Sequence, residues 1–143
     1  MKVEGILRSK GTNVVTADPR ATIGGIVERL HRERIGALVV TESGRVLGMI
    51  SERDVIRGLA EHGPVILDKK VTDLMTRPVH TCSRGDSIKH LMSEMTRKRI
   101  RHLPVIDDGV LYGIVSIGDV VKNRLDEVEM EANVLRDAYI ARA

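Results

Sequence analysis

Two seven-residue stretches carry the residue types best suited to chemistry. Gly48-Met49-Ile50-Ser51-Glu52-Arg53-Asp54 and Gly113-Ile114-Val115-Ser116-Ile117-Gly118-Asp119 share one pattern: Gly, two apolar residues, Ser, two variable residues, Asp. An apolar run that ends in Ser reads as a strand passing into a helix. The first turn of such a helix offers free N–H groups and partial positive charge to a phosphate. The Ser hydroxyl can join those donors, and the acid one turn later can accept both hydrogens of a ribose diol. Charge-assisted bonds of this kind contribute about 1.5–3 kcal/mol each. Ser-x-x-Asp is also the spacing of a capping box, in which Ser caps the helix and the acid answers back. Capping and ligand binding can coexist.

The residues around these motifs differ between the two copies. Arg34-Ile35-Gly36-Ala37 stands in the first where Arg99-Ile100-Arg101-His102 stands in the second. Arg101 and His102 can engage phosphate oxygens, Arg with two parallel bonds, while Gly36 and Ala37 leave room and expose backbone. Arg53, where the second copy has Gly118, is a further phosphate candidate. The alternative for these side chains is a solvated strand end. Val14, Ile35, Met49 and Ile50, with Val79, Ile100, Ile114 and Val115 opposite, can wall an adenine ring, although each also reads as an ordinary core residue.

A duplication must position these residues. Asp119 and Asp54, Ser116 and Ser51, and Gly113 and Gly48 are each 65 residues apart, and the same shift superposes Thr16 on Thr81, Ile23 on Ile88, Gly44 on Gly109 and Val55 on Val120 without a gap. Each copy reads as strand, helix, strand, strand, helix. Val14-Val15 and Val79-His80 start the first strands, and Thr22 and Ser87 cap helices with apolar stripes at Ile23, Ile26, Val27, Leu30 and at Ile88, Leu91, Met92, Met95. Hairpins turn at Glu42-Ser43-Gly44 and at Asp108-Gly109, and final helices begin near Ser51 and Ser116. The expected fold is therefore α+β, two βαββα repeats related by a pseudo-twofold axis. One copy, about 44 residues, is too small to hold itself folded, so the two share a cleft. The chain divides into residues 1–65 (first repeat with an N-terminal segment), 66–125 (second repeat) and 126–143 (a helical extension).

Gly63-Pro64 breaks the connection between copies, and Val71-Thr72-Asp73-Leu74-Met75 reads as a short helix or turn with a faint echo at Val3-Glu4-Gly5-Ile6-Leu7. The last helix can run to the C-terminus with Leu125, Val128, Ala132, Leu135 and Tyr139 on one face, covered either by a second copy or by its own module.

Composition narrows the function classes. Of 143 residues 42% are hydrophobic and 30% charged, so the chain folds. The two Tyr are its only aromatics, which leaves almost no base-stacking platform, and the net charge of +3 is spread without a basic run; nucleic acid is not an expected partner. Cys82 is the only cysteine, and His31, His62, His80, His90 and His102 lack metal-ligand spacing, so no metal is expected. Neither a signal peptide nor a membrane span is legible, and a cytoplasmic location follows by default. Paired carboxylates, a Cys/His set and a Gly-rich phosphate loop are all lacking, so no enzymatic activity and no catalytic cofactor are expected.

These motifs resemble the CBS domain, over both copies from about Val3 to Lys122. The resemblance rests on Gly44-Arg45-Val46-Leu47-Gly48-Met49-Ile50-Ser51-Glu52-Arg53-Asp54 and Arg101-His102-Leu103-Pro104-Val105-Ile106-Asp107, which are similar to the family's ribose-binding and middle-strand signatures. It implies a stand-alone paired module that binds AMP, with ADP, ATP, NAD(H) or S-adenosylmethionine as alternatives, forms a homodimer and signals to a regulated protein. It further implies ribose contacts at Asp54 and Asp119, ribose or phosphate contacts at Ser51 and Ser116, base contacts at Thr16 and Thr81, and phosphate contacts at Arg101 and His102, with Pro104 beside them. The departure at Gly36-Ala37 implies unlike sites. A constitutive interaction scaffold whose motifs only cap helices is the competing expectation.

Overall fold

A computed structural model describes residues 1–142. Thr22 accepts the Gly25 amide at 3.1 Å and opens α2 (Ile23–Glu33), and Ser87 accepts the His90 amide at 3.1 Å and opens α4 (Ile88–Lys98). Each side chain satisfies one of the donors that a helix start leaves without a partner. Both helices end on an Arg in the left-handed region, Arg34 and Arg99, each at φ 55°. The chain then turns into hairpins: β2 (Ala37–Glu42) with β3 (Arg45–Ser51), and β4 (His102–Asp107) with β5 (Val110–Ser116). Gly44 and Gly109 supply the positive φ, 78° and 76°, that these tight turns require. α3 (Glu52–His62) follows β3, and α5 (Ile117–Arg142) follows β5. The fold is α+β with two repeats, as the duplication requires.

The repeat extends to individual bonds. Glu52 N donates to Gly36 O at 2.9 Å, and 65 residues on Ile117 N donates to Arg101 O at 2.8 Å. Both hairpins shift register at the same place, between Val40 and Thr41 and between Val105 and Ile106.

The first strands depart from the sequence expectation. In the first repeat the strand is Thr16–Ala17 (β1), parallel to Val39 and Val40, rather than starting at Val14-Val15. In the second repeat Val79-His80 starts no strand, and what remains is a single bridge between Cys82 and Val105. Cys82 donates to Pro104 O at 3.0 Å and accepts from Ile106 N at 2.9 Å, but the next amide, Ser83 N, is taken by the Asp86 carboxylate at 2.9 Å. The pair missing relative to the first repeat is Thr81 with Pro104, where proline stands in place of Val39 and has no N–H to give to the ladder.

Packing crosses chain order. α1 (Val3–Lys10) puts Val3, Ile6 and Leu7 into the core of the second repeat, with Leu91, Met95, Val105 and Val115. The linker puts Ile66, Val71 and Met75 into the core of the first, with Ile26, Leu38 and Ile50. The bonding is equivalent: Val71 N donates to Ala21 O at 2.8 Å and Val3 N donates to Asp86 O at 2.9 Å. Val71 and Val3, like Met75 and Leu7, are 68 residues apart where the rest of the repeat is 65 apart. The N-terminal stretch is thus three residues longer before it reaches Thr16, and those residues extend α1 to Lys10 where the linker forms only a 3-10 turn over Val71–Asp73.

Candidate functional site

Both Ser-x-x-Asp motifs sit at a strand-to-helix junction, and both are closed capping boxes. Asp54 Oδ2 accepts Ser51 N at 2.9 Å, while Asp54 N donates to Ser51 Oγ at 3.3 Å. Asp119 Oδ2 accepts Ser116 N at 2.9 Å, while Asp119 N donates to Ser116 Oγ at 3.1 Å. The capping reading of the motif is therefore realised in each copy, and any ligand must use the lone pairs that the box leaves over.

In the first copy those lone pairs face a cavity of about 310 Å³ between the repeats, within the usual size for a small-molecule site. Asp54 is buried, 6% exposed, and its Oδ1 accepts from Arg57 at 2.7 Å and from the Thr76 hydroxyl at 3.3 Å. Ser51, Arg53, Met49 and Gly36 line the cavity from the first repeat, and Val79, Ile100, Arg101 and His102 line it from the second. A Cβ at Gly36 would lie 3.0 Å from Glu52 Oε1 and 3.3 Å from His102 Nε2, so a larger residue here would push on the ends of both side chains.

Charge in the cavity is mostly positive. Arg53, Arg57, Arg99 and Arg101 ring it, against Glu52 and Asp54. Burial holds the His102 imidazole below its ordinary pKa, with Lys10 adding to the effect and Glu52 opposing it, so His102 enters the site at neutral pH as an uncharged donor and acceptor rather than a cation. Arginine forks suit phosphate oxygens, and the adjoining Met49, Val79 and Ile100 offer apolar walls.

The remaining sequence candidates lie elsewhere. Ala37, Ile50 and Pro104 are buried within their strands. Thr16 lies in β1, its carbonyl accepting from Arg29. Ile35 lines a shallow hollow with Leu30 and Val55, and Thr81 lines a small one with Cys82 and His90. Ser116, Gly118 and Asp119 sit at the second junction, where the Lys10 ammonium donates to Asp119 Oδ2 at 2.6 Å and to Ile114 O at 2.8 Å. Burial pushes the Asp119 carboxyl up, but the Lys10 ammonium and the Ser116 amide outweigh it and leave the pKa lowered.

The family model for the CBS domain matches this chain twice, at residues 3–61 and 71–126. The protein belongs to the CBS-domain family. The two matched stretches are the two repeats, and the cavity lies between them. The CBS-domain protein ATU1752 of Agrobacterium tumefaciens superposes on this CBS pair with a TM-score of 0.85 at 43% identity, covering 87% of this chain and 99% of that one. The mitochondrial CBS domain-containing protein CBSX3 of Arabidopsis thaliana is 34% identical over 96% of this chain and 71% of its own length. The CBS pair of protein MJ0100, solved in complex with 5'-methylthioadenosine and S-adenosyl-L-methionine, superposes with a TM-score of 0.79 at 25% identity over 89% of this chain and 98% of that one. Inosine-5'-monophosphate dehydrogenase of Mycobacterium leprae also matches, at 33% identity over 85% of this chain, but over only 23% of its own length.

Within this CBS pair, five further residues line the cavity that the motifs did not single out: Glu52, Arg57, Thr76, His80 and Arg99. Arg57 stands one turn after Arg53 and Asp54 on α3 and so shares their face. Thr76 follows the linker turn, where no periodicity marks it. Among the described residues, no helix is long and apolar enough to cross a membrane and no cluster of ligating side chains suits a metal ion.

Proposed function

We propose that this CBS pair is a regulatory module that binds an adenine nucleotide in the cavity between its repeats and passes the binding state to a partner protein, without catalysing a reaction. The observation that carries the proposal is the buried Asp54 carboxylate opening onto a cavity ringed by Arg53, Arg57, Arg99 and Arg101. A ribose diol would take the Asp54 oxygen now held by Arg57 and Thr76, and the freed Arg57 would join the other guanidiniums on phosphate. Met49, Val79 and Ile100 would flank the base. AMP is the first expectation, with ADP, ATP and NAD(H) as alternatives. The cationic ring favours a phosphate-bearing ligand over the neutral and cationic adenosyl compounds bound by MJ0100. The nucleotide must prefer one arrangement of the repeats, or of a homodimer, for a partner to read it.

One observation favours the scaffold reading instead: both capping boxes are complete as they stand. Thermal denaturation separates the two. A ligand at a hundred times its dissociation constant raises stability by about 2.7 kcal/mol, so AMP or ATP in excess shifts the melting temperature upward by several degrees. A scaffold shows no shift with AMP, ATP or NADH.

A further inference from the structure

α5 begins inside the second repeat, where Val120 is fully buried. It then leaves the module. Asn123 and Glu127 still touch Met1, but every residue from Val128 to Arg142 is exposed. A single helix of about that length in water is marginal without a packed face, because nucleation is costly and helical stability comes mainly from tertiary contact. The apolar residues of this segment supply such a face. Val121, Leu125, Val128, Ala132, Leu135 and Tyr139 recur at alternating steps of four and three, the a/d pattern of a coiled coil, along about 27 Å of helix at 1.5 Å per residue. Leu125, Leu135 and Tyr139 are 63%, 72% and 78% exposed, with nothing of their own module against them.

The charged residues flanking this seam select the partner. With Leu125, Ala132 and Tyr139 at a, the g positions are Arg124 and Glu131 and the e positions Lys122, Glu129 and Arg136. In a parallel pair each g residue meets the e residue five positions further on in the other chain. Arg124 then faces Glu129, and Glu131 faces Arg136, with opposite signs in both cases and each pair occurring twice. An antiparallel pair that keeps the full seam sets Glu131 against Glu131, Glu129 against Glu129 and Lys122 against Arg136. We propose that the exposed part of α5 pairs in parallel with the same segment of a second copy of this chain, as a two-stranded coiled coil carrying two modules at one end. Met130, Val134 and Ile140 remain on the outer faces of that pair. The proposal is independent of what the cavity between the repeats holds.

Sedimentation equilibrium of the full chain tests it, together with two variants. The native chain is expected to be a dimer at micromolar concentration and Leu135→Asp a monomer with the same melting temperature for the module. A monomeric native chain, a trimer, or a dimer unmoved by Leu135→Asp would overturn the proposal. Orientation is read from Tyr139→Cys, since Cys82 is buried and leaves one accessible thiol. Oxidation links the parallel dimer through Cys at this position nearly completely. An antiparallel pair holds the two positions about 27 Å apart by the same rise per residue, so failure to cross-link a proven dimer overturns the parallel arrangement.

Discussion

Lys10 holds Asp119 as Thr76 holds Asp54. In the first repeat Thr76 donates its amide to Met49 O at 2.8 Å and its hydroxyl to Asp54 Oδ1 at 3.3 Å. In the second, one ammonium does both, reaching Ile114 O at 2.8 Å and Asp119 Oδ2 at 2.6 Å. The three additional residues of the N-terminal stretch bring it there. Arg57 holds Asp54 from the same helix and can swing away to a phosphate, whereas the Lys10 ammonium is anchored to Ile114 O as well as to Asp119 Oδ2, so native protein should bind one AMP per chain by calorimetry, and Lys10→Ala two. Two sites in the native protein would refute the blocking contact, as would one site in the variant.

His102 makes stability depend on pH in a definite direction. Burial and the nearby Lys10 and Arg101 favour the neutral ring, while Glu52 and Asp119 oppose them, and the net result lowers its pKa from the ordinary 6.5. The folded state therefore prefers neutral imidazole. That contribution is complete above the unfolded value and is lost as the pH falls through the lowered folded one. The melting temperature of the ligand-free protein should drop between pH 7 and pH 5, and drop less in His102→Gln. An imidazole titrating at or above 6.5 by NMR would contradict this.

Cys82 should be inert. It is 6% exposed, and burial, with Asp86 and Asp107 adding to it, pushes its thiol up to about 12. The thiolate is the reactive form, so a disulfide reagent at pH 8 should label the native protein slowly and the urea-unfolded protein at once. Immediate labelling of the native protein would place the thiol at the surface.

Gly48 and Gly113 are repeat partners with unequal tolerance. A Cβ at Gly48 would lie 2.6 Å from Met75 Sδ and 3.0 Å from Thr76 O, the latter a backbone atom fixed by its pairing with β3, whereas at Gly113 it meets only the end of the Leu7 side chain at 2.7 Å. Overpacking costs about 1–3 kcal/mol, and Gly48→Ala should reach the upper end while Gly113→Ala stays near the lower. Equal losses in urea denaturation would show that the linker backbone yields as easily as a leucine.

The gapless 65-residue shift made the architecture legible, because helix caps, hairpin glycines and the Ser-x-x-Asp junctions are local features whose chemistry fixes their structure. The first strands were less so: Val14-Val15 and Val79-His80 both stand just ahead of the residues that pair, Thr16-Ala17 and Cys82, and where such a short ladder begins is a tertiary detail without a sequence pattern. Half of the cavity was legible for the same reason, through Ser51, Asp54, Arg101 and His102 at repeat-related positions. Thr76 and Lys10 were not, since the N-terminal stretch and the linker are related by a different offset, and the exchange of these segments between cores follows from packing alone.

The most direct measurement of the central claim is AMP affinity by calorimetry for native protein and Asp54→Asn. Asparagine keeps an acceptor for the Ser51 amide and so most of the cap, but removes the charge that would hold the ribose. A loss of about ten- to a hundredfold is expected, the equivalent of one charge-assisted bond. Native affinity in a folded Asp54→Asn protein would contradict the account.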